Sequence, residues 1–164
     1  MSRYDEGAFV VMHDRPPTTF AASGPATEAA VRDLLRDLRL WLSQGGTPEA
    51  ACGAVEIALA EVLNNVVEHA YATVAPRDPA SALTVHAARA NGQLDVHVCD
   101  HGTPLPGLTL PEGRLPARDV ARGDLPEGGF GWFLIRKLST RLCYSQFDGE
   151  NRLDLRFDLD RLAK

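Results

Sequence analysis

One stretch of the chain joins a helical apolar stripe to a second stripe of acidic and amide side chains. The run 61–69 reads Glu-Val-Leu-Asn-Asn-Val-Val-Glu-His and lies inside the apolar segment 54–71. At about 100° per residue, one side of a helix would collect Ile57, Glu61, Asn65 and Glu68. The opposite side, which would face a core, would collect Val55, Leu59, Val62 and Val66. No Lys or Arg occurs from Cys52 to Ala75. The polar stripe suits metal and proton chemistry, and an ordinary solvated helix face fits it equally well.

The composition is that of an ordinary globular domain. The chain has 164 residues, a net charge of −5, 45% hydrophobic and 24% charged residues. This length predicts a single domain over residues 1–164, large enough to bury a core without disulfides or metals. The negative charge argues against direct, non-specific binding to nucleic acid.

The start of the chain, its hydropathy and its cysteines predict a cytoplasmic protein. The first residues lack a basic region followed by an apolar one, and no run of about 18 apolar residues predicts a membrane span. The three cysteines lie far apart, without a Cys-x-x-Cys pair. We therefore expect buried free thiols in a reducing compartment, no zinc site and no membrane partner.

Two helices are predicted in the first half of the chain. A short strand is expected at 8–13 and a second at 18–20, after which Ser23-Gly24-Pro25 would introduce a helix. Its apolar stripe is Val31, Leu34, Leu35, Leu38, Trp41 and Leu42. Gly45-Gly46 would end this helix. Thr47-Pro48-Glu49 would begin the second helix, with Thr47 as the cap, and that helix would run to about Tyr71.

Two hairpins are predicted in the second half. Asn91-Gly92 separates the alternating runs 81–90 and 93–100, a strong hairpin signal. His86 and His97 would lie on the solvent-facing side of this hairpin. A helix from Trp132 to about Thr140 precedes a closing hairpin, 141–147 and 151–159, that turns at Asp148-Gly149.

A long loop, roughly 102–127, separates the two hairpins. Its prolines and glycines are typical of a lid or binding loop, and structureless chain is the alternative. A short helix could begin at Pro116. The loop carries three arginines that could meet an anion or simply be solvated: Arg114, Arg118 and Arg122.

A short motif stands at each end of this loop. Asp100-His101-Gly102 follows the second hairpin strand, where a carboxylate can form the floor of a pocket, although Asp-x-Gly is also a common turn. Gly128-Gly129-Phe130-Gly131 opens a helix, where backbone N–H groups can approach a phosphate. No Gly-Lys-Ser/Thr follows, so the glycines are not a Walker loop.

The order of these motifs resembles the GHKL, or Bergerat-type, ATP-binding fold. A helix with Glu-x-x-x-Asn, a strand ending in Asp-x-Gly, a lid and a Gly-Gly-x-Gly turn follow one another. Residues 61–71 and 128–138 closely resemble the stand-alone anti-sigma factor serine kinases of bacteria. The resemblance covers roughly 25–159. It implies an α+β two-layer sandwich, in which a mixed, mostly antiparallel sheet is covered on one face by about three helices.

The resemblance also implies roles for individual residues. Asn65 looks like the Mg²⁺ ligand and Glu61 like the general base that takes the proton from a serine hydroxyl. Asp100 looks like the carboxylate that reads adenine, while Gly102 keeps that turn open for the base. The phosphate-binding turn would be Gly128, Gly129, Phe130 and Gly131. One of the three lid arginines would neutralise the transferred phosphoryl group.

The implied function is a protein serine kinase that uses Mg²⁺ and ATP and acts as an anti-sigma factor in a partner-switching circuit. Its substrate would be a STAS-type anti-anti-sigma protein and its other partner a sigma factor, with a homodimer allowed. The alternative is a non-catalytic module that binds ATP or ADP and sequesters a protein. The chain departs from the family at Thr103-Pro104, where a glycine often follows, and this stiffens the start of the lid.

Overall fold

Five strands form one antiparallel sheet in the computed structural model, which describes residues 18–72, 82–113 and 129–164. The strands are β1 (Thr19–Pro25), β2 (Ala82–Ala90), β3 (Gln93–Asp100), β4 (Arg141–Phe147) and β5 (Glu150–Asp158). Their order across the sheet is β1-β2-β3-β5-β4, and every pairing among the described residues is antiparallel. The α+β sandwich is confirmed, and its described sheet is antiparallel rather than mixed. The strand expected at 8–13 lies outside the described residues.

Apolar and polar residues alternate along the strands, so one side of the sheet is buried in the core. The buried rows are Leu83, Val85 and Ala87 on β2, Leu94, Val96 and Val98 on β3, and Leu153, Leu155 and Phe157 on β5. Both predicted hairpin turns are confirmed. Asn91-Gly92 and Asp148-Gly149 have positive φ at both positions, as two-residue turns of the type I′ class require.

Helices cover the buried side of the sheet. They are α1 (Glu28–Gln44), α2 (Glu49–Asn65), α3 (Gly129–Leu138) and the short α4 (Leu159–Leu162). A π-helical turn, Val66–Ala70, continues α2 to the predicted end near Tyr71. All six apolar positions predicted for the first helix are buried. The periodicity of the sequence therefore identified the core face of α1 correctly.

Two predicted helix starts differ from the structure. Ser23, Gly24 and Pro25 belong to β1, where they pair with β2, and Thr27 caps α1 by accepting a hydrogen bond from the Ala30 amide. Thr47 does not cap α2, because its hydroxyl accepts a hydrogen bond from the Arg89 guanidinium instead. That guanidinium also donates to the Leu42 carbonyl. A long-range contact therefore replaced the local cap that the sequence suggested.

Helix α2 lies at the centre of the helical layer, against both α1 and α3. Its residues Cys52, Val55, Leu59 and Leu63 are fully buried. By length and composition alone, the 22-residue segment Glu49–Ala70 could cross a membrane. A core helix passes the same test, and the buried residues account for the apolar character of this one. The absence of a membrane partner stays a prediction.

The opposite side of the sheet is polar. His86 is exposed and His97 half-buried, and they are neighbours in the register of β2 and β3. His97 Nδ1 lies 2.5 Å from Asp154 Oδ1 on β5. Both histidines therefore lie on the solvent-facing side, as their alternation predicted.

Two phenylalanines provide a test of this packing. Phe157 is 0% exposed, so Phe157→Ala should remove its core contacts and lower the free energy of unfolding by about 3–5 kcal/mol. Phe147, at the tip of the last hairpin, is 86% exposed, and Phe147→Ala should change that free energy by less than about 0.5 kcal/mol. Urea unfolding of both variants measures the difference. Equal effects would contradict the assignment of the core face.

Candidate functional site

A cavity of about 430 Å³ opens between the C-terminal end of α2, the sheet and the loop that follows β3. This volume lies in the range of pockets that bind small molecules. Most of the lining is apolar, and a few polar groups converge on it. The polar side chains in the lining are Asn65, His69, Asp100, Thr103, Tyr144 and Asn151. Two of the residues singled out in the sequence, Asn65 and Asp100, thus lie in the same cavity.

Asp100 ends the buried strand β3 and is 6% exposed. Its Oδ1 accepts a hydrogen bond from the Gly102 amide at 2.8 Å and another from Asn151 Nδ2 at 2.8 Å. Burial raises the pKa of Asp100, while the two donated hydrogen bonds act in the opposite direction. Asp100 is therefore a buried carboxyl group at a strand end, held in position by two donors.

Asn151 is a site residue that sequence reasoning missed. It is directly opposite Asp100 in the register of β3 and β5 and is 2% exposed. Its amide donates to both Asp100 Oδ1 and the Gly102 carbonyl, and its Oδ1 lies 2.9 Å from the Tyr144 hydroxyl. The Tyr144 hydroxyl in turn accepts from the Leu105 amide. A strand asparagine gives no signal by itself, because the pairing register alone reveals its partner.

Gly102 lies where two backbone segments meet. A Cβ at this position would lie 2.5 Å from the Ala70 carbonyl oxygen, in the π-helical turn. The same oxygen accepts a hydrogen bond from the Thr103 amide. The Asp-x-Gly turn thus packs against the end of α2, and the glycine is required for that approach. Its role in leaving room for a ligand base stays a prediction.

Tyr71 forms further hydrogen bonds that hold the turn after Asp100 in place. Its hydroxyl accepts from the His101 amide at 2.8 Å and donates to the Ala82 carbonyl. Burial raises the pKa of the Tyr71 phenol, which keeps the proton that this second hydrogen bond needs. The residue connects the end of α2 to the end of β3 and the start of β2. The position of Asp100 is therefore fixed by several elements.

Asn65 lies in the last turn of α2 and lines the cavity. Its Nδ2 is buried, and no residue in the described part of the chain accepts a hydrogen bond from it. Because buried amides are normally paired, this orphaned group points to an acceptor that the described residues do not supply. The carbonyl oxygen of such an amide is a ligand type that Mg²⁺ takes. Within the ranges 18–72, 82–113 and 129–164, no cluster of three His, Cys, Asp or Glu residues could hold a metal ion.

Glu61 lies one helical turn before Asn65 and is half-buried against α3. A Cβ at Gly131 would overlap Glu61 Oε2, so the glycine lets the carboxylate approach the first turn of α3. The first amides of a helix lack intrahelical partners and favour negative groups beside them. Glu61 and the described part of the glycine motif, 129–131, are thereby brought together, although about 70 residues separate them.

Some predicted site residues remain untested by this geometry. Phe130 is 48% exposed, its ring stacks on Phe133, and its side chain is absent from the cavity lining. Only its backbone, in the first turn of α3, is placed to contribute. Gly128 and the three lid arginines (Arg114, Arg118 and Arg122) lie outside the described residues, as does most of the predicted lid.

The described start of the loop follows the cavity wall. Thr103, Pro104 and Leu105 line the cavity, so the Thr-Pro pair that departs from the family pattern is part of the wall itself. Further along, the Arg136 guanidinium donates to the Pro111 carbonyl at 2.9 Å. A Cβ at Gly113 would lie 2.5 Å from the Phe133 amide. The described part of the loop is thus anchored on β4 through the Leu105 amide and on α3 through the Arg136 side chain.

Comparison with known proteins agrees with this architecture. The sequence matches the family described as the histidine kinase-like ATPase domain over residues 24–157. No curated protein matches the chain significantly.

Two solved structures are similar in fold. One contains the RsbU and RsbW domains of a protein from Mycobacterium tuberculosis, with 22% identity and a TM-score of 0.60 over 87% of this chain. The chain spans only 32% of that protein's chain. The other is the SiaB–SiaC complex from Pseudomonas aeruginosa, with 20% identity and a TM-score of 0.54. That match covers 84% of this chain and 88% of the other. At these identities the likeness concerns the fold.

Substitution of two glycines by alanine tests whether Gly102 is required for the close approach to Ala70. Gly102→Ala should lower the free energy of unfolding by about 1–3 kcal/mol, because the methyl group forces the Ala70 carbonyl away. Gly53→Ala is the matched control, since Gly53 lies inside α2 with no atom within 4 Å of its would-be Cβ. It should raise that free energy by roughly 0.5–1 kcal/mol. Urea unfolding measures both, and a Gly102→Ala variant as stable as wild type would refute the contact.

Proposed function

The chain belongs to the family of the histidine kinase-like ATPase domain, and we propose that it binds Mg²⁺ and ATP in this cavity and phosphorylates a serine of a partner protein. One observation carries the proposal. The side of α2 that escapes the core presents Asn65 with an orphaned amide and Glu61 against the first turn of a glycine-rich helix. The cavity that Asn65 lines is also lined by the buried carboxyl group of Asp100.

The groups in and beside the cavity suit the two ends of a nucleotide. Asp100, in the cavity lining, can accept a hydrogen bond from the amino group of adenine. The backbone amides at Gly129, Phe130 and Gly131 can receive phosphate oxygens, and Gly128 would extend that turn. The remaining lining is mostly apolar, which suits a purine ring.

Asn65 can offer Mg²⁺ its side-chain oxygen. Its buried Nδ2, which has no acceptor among the described residues, can donate to a phosphate oxygen of the same ligand. The ion, when bound, would neutralise charge on the phosphates. Glu61, beside the same helix start, is placed to accept the proton of a serine hydroxyl as that oxygen attacks phosphorus. One lid arginine would stabilise charge on the transferred group. The work of the protein is therefore positioning, proton transfer and charge stabilisation.

We further propose partners and a cellular setting. The resemblance of residues 61–71 and 128–138 to anti-sigma factor kinases favours a STAS-type anti-anti-sigma protein as the substrate and a sigma factor as the second partner. The similar fold of the SiaB–SiaC complex, which joins two proteins, supports a protein partner. These partners would place the chain in the cytoplasm. A homodimer is compatible with the proposal.

The alternative function is a regulatory module that binds ATP or ADP and holds a protein partner without chemistry. The departure at Thr103-Pro104, in the wall of the cavity, is the observation that favours it, because a stiff loop start opposes lid closure. The two functions share the nucleotide site and differ in the need for Glu61.

The first prediction for this function concerns nucleotide binding. Mg²⁺ and ATP at about a hundred times Kd should raise the free energy of unfolding by about 2.7 kcal/mol and the melting temperature by roughly 5–10 °C. Asp100→Asn should shrink this shift, because an amide no longer offers adenine a carboxylate. Asn65→Ala should remove the part of the shift that depends on Mg²⁺. The readout is thermal unfolding with and without EDTA. No shift in the melting temperature of the wild type would refute the proposal.

The second prediction concerns phosphoryl transfer. Glu61→Gln should lower the rate of transfer to a STAS-domain serine by about 100-fold or more, because the proton acceptor is lost. Its ATP affinity should stay close to that of the wild type. Transfer is measured with radiolabelled ATP, and a serine-to-alanine substrate is the control. Wild-type binding without transfer to any STAS partner would favour the regulatory alternative.

A further inference from the structure

A directed chain of hydrogen bonds ends on the carboxyl group of Asp100. It begins at the Leu105 amide, passes through the Tyr144 hydroxyl and the Asn151 amide, and reaches Asp100 Oδ1. We propose that Asn151 is a specificity-determining residue, which holds Asp100 as a pure hydrogen-bond acceptor and thereby selects 6-aminopurine over 6-oxopurine nucleotides. This inference rests on the proposed nucleotide site and adds a determinant of base selectivity to it.

The orientation of the Asn151 amide follows from its neighbours. Its Nδ2 lies 2.8 Å from Asp100 Oδ1 and 3.0 Å from the Gly102 carbonyl oxygen, both of which only accept hydrogen bonds in this state. Its Oδ1 must then accept from the Tyr144 hydroxyl at 2.9 Å. The oxygen of that hydroxyl is left to accept from the Leu105 amide at 3.1 Å. Turning the Asn151 amide over would set oxygen against oxygen at two contacts, so a single orientation is stable.

This chain determines what Asp100 can offer a ligand. Two N–H groups already occupy Oδ1, while Oδ2 accepts no hydrogen bond from the part of the chain that the structure describes. An ionised carboxylate only accepts, so a base in the cavity must bring a donor to Oδ2. The amino group at position 6 of adenine is such a donor. In the pose that brings the adenine amino group to Oδ2, the carbonyl at position 6 of hypoxanthine or guanine would place two acceptors together, which a buried site rejects strongly.

The selectivity would be lost if Asp100 were protonated, because a carboxylic acid can donate to a carbonyl. Burial favours the protonated form of Asp100 and raises its pKa. The hydrogen bond from the Asn151 amide is the largest of the effects that lower this pKa. The other ionisable groups near Asp100 are His101, which lowers the pKa, and Glu150, which raises it. These two side chains approach each other to 3.9 Å and are both exposed. Among the described residues, the other titratable groups around the site are Tyr71, Tyr144, His69 and Cys99.

The test compares ADP with inosine diphosphate, which carries a carbonyl in place of the amino group at position 6. Dissociation constants are measured by calorimetry, between pH 5 and pH 8, for the full chain and its variants. The wild type should prefer ADP by about 100-fold or more. Asn151→Leu keeps the approximate size but removes the donor, so the preference should fall by about tenfold or more. In this variant, ADP binding should also weaken at a higher pH than in the wild type, because Asp100 takes up its proton more readily.

Tyr144→Phe is the matched control. It removes a hydroxyl from the same hydrogen-bond chain but leaves the Asn151 amide on Asp100. Affinity for both nucleotides should fall to a similar extent, with the preference for ADP retained. A loss of preference in Tyr144→Phe equal to that in Asn151→Leu would overturn the assignment to Asn151.

A second variant, Asn151→Asp, allows the same test if Asn151→Leu does not fold. Asn151→Asp keeps the shape and sets a second carboxylate beside Asp100. Because like charges disfavour double ionisation, the pair should bind one proton at a pH where the wild type binds none. That proton can replace the lost N–H, so ADP affinity should rise as the pH falls from 8, opposite to the wild type.

The outcomes separate this inference from the function on which it rests. A wild type that binds neither nucleotide refutes the nucleotide site itself. A wild type that prefers ADP, with the same preference and pH profile in Asn151→Leu and Asn151→Asp, refutes the role of Asn151 and leaves the nucleotide site standing.

Discussion

The burial of α2 against α1, α3 and the sheet is the constraint on which the rest of the site depends. Once the apolar side of this helix is in the core, the opposite side must face α3 and the cavity, and it carries Glu61 and Asn65. The helix cannot rotate without exposing residues such as Val55 and Leu59, which are fully buried. The orientation of two polar side chains is therefore set by hydrophobic packing elsewhere on the same helix.

A second constraint acts at the end of β3. A carboxyl group that is nearly out of contact with water costs free energy unless hydrogen bonds compensate. Here the Gly102 amide and the Asn151 side chain provide the donors, and the Tyr144 hydroxyl donates to the oxygen of the same Asn151 amide. Such a group is retained at the expense of stability, and its position in a mostly apolar cavity gives the molecule one strong acceptor with a defined direction.

Local patterns predicted most of the elements. Alternation gave β2, β3 and β5, both hairpin turns followed from Asn-Gly and Asp-Gly, and the apolar stripe of α1 was correct at every position. The errors occurred where a residue distant in the sequence determined the local structure. Arg89 took the Thr47 hydroxyl that was predicted to cap α2, and pairing with β2 drew Ser23 to Pro25 into a strand. Local sequence cannot reveal such competition, because the competing partner lies about 40 or more residues away.

The sequence by itself determined the chemistry that is available: a Glu-x-x-x-Asn helix, an Asp-x-Gly strand end and a glycine-rich helix start, in an order that resembles one ATP-binding family. It also fixed the core faces, because the hydrophobic periods of a helix and a strand are written in the chain. Only the tertiary structure decided which groups meet. Asn151 lies beside Asp100 because of the pairing register of β3 and β5, and Gly131 admits Glu61 because α2 packs on α3. Register and helix packing are properties of the assembled core, so residues that act through them carry no local signal.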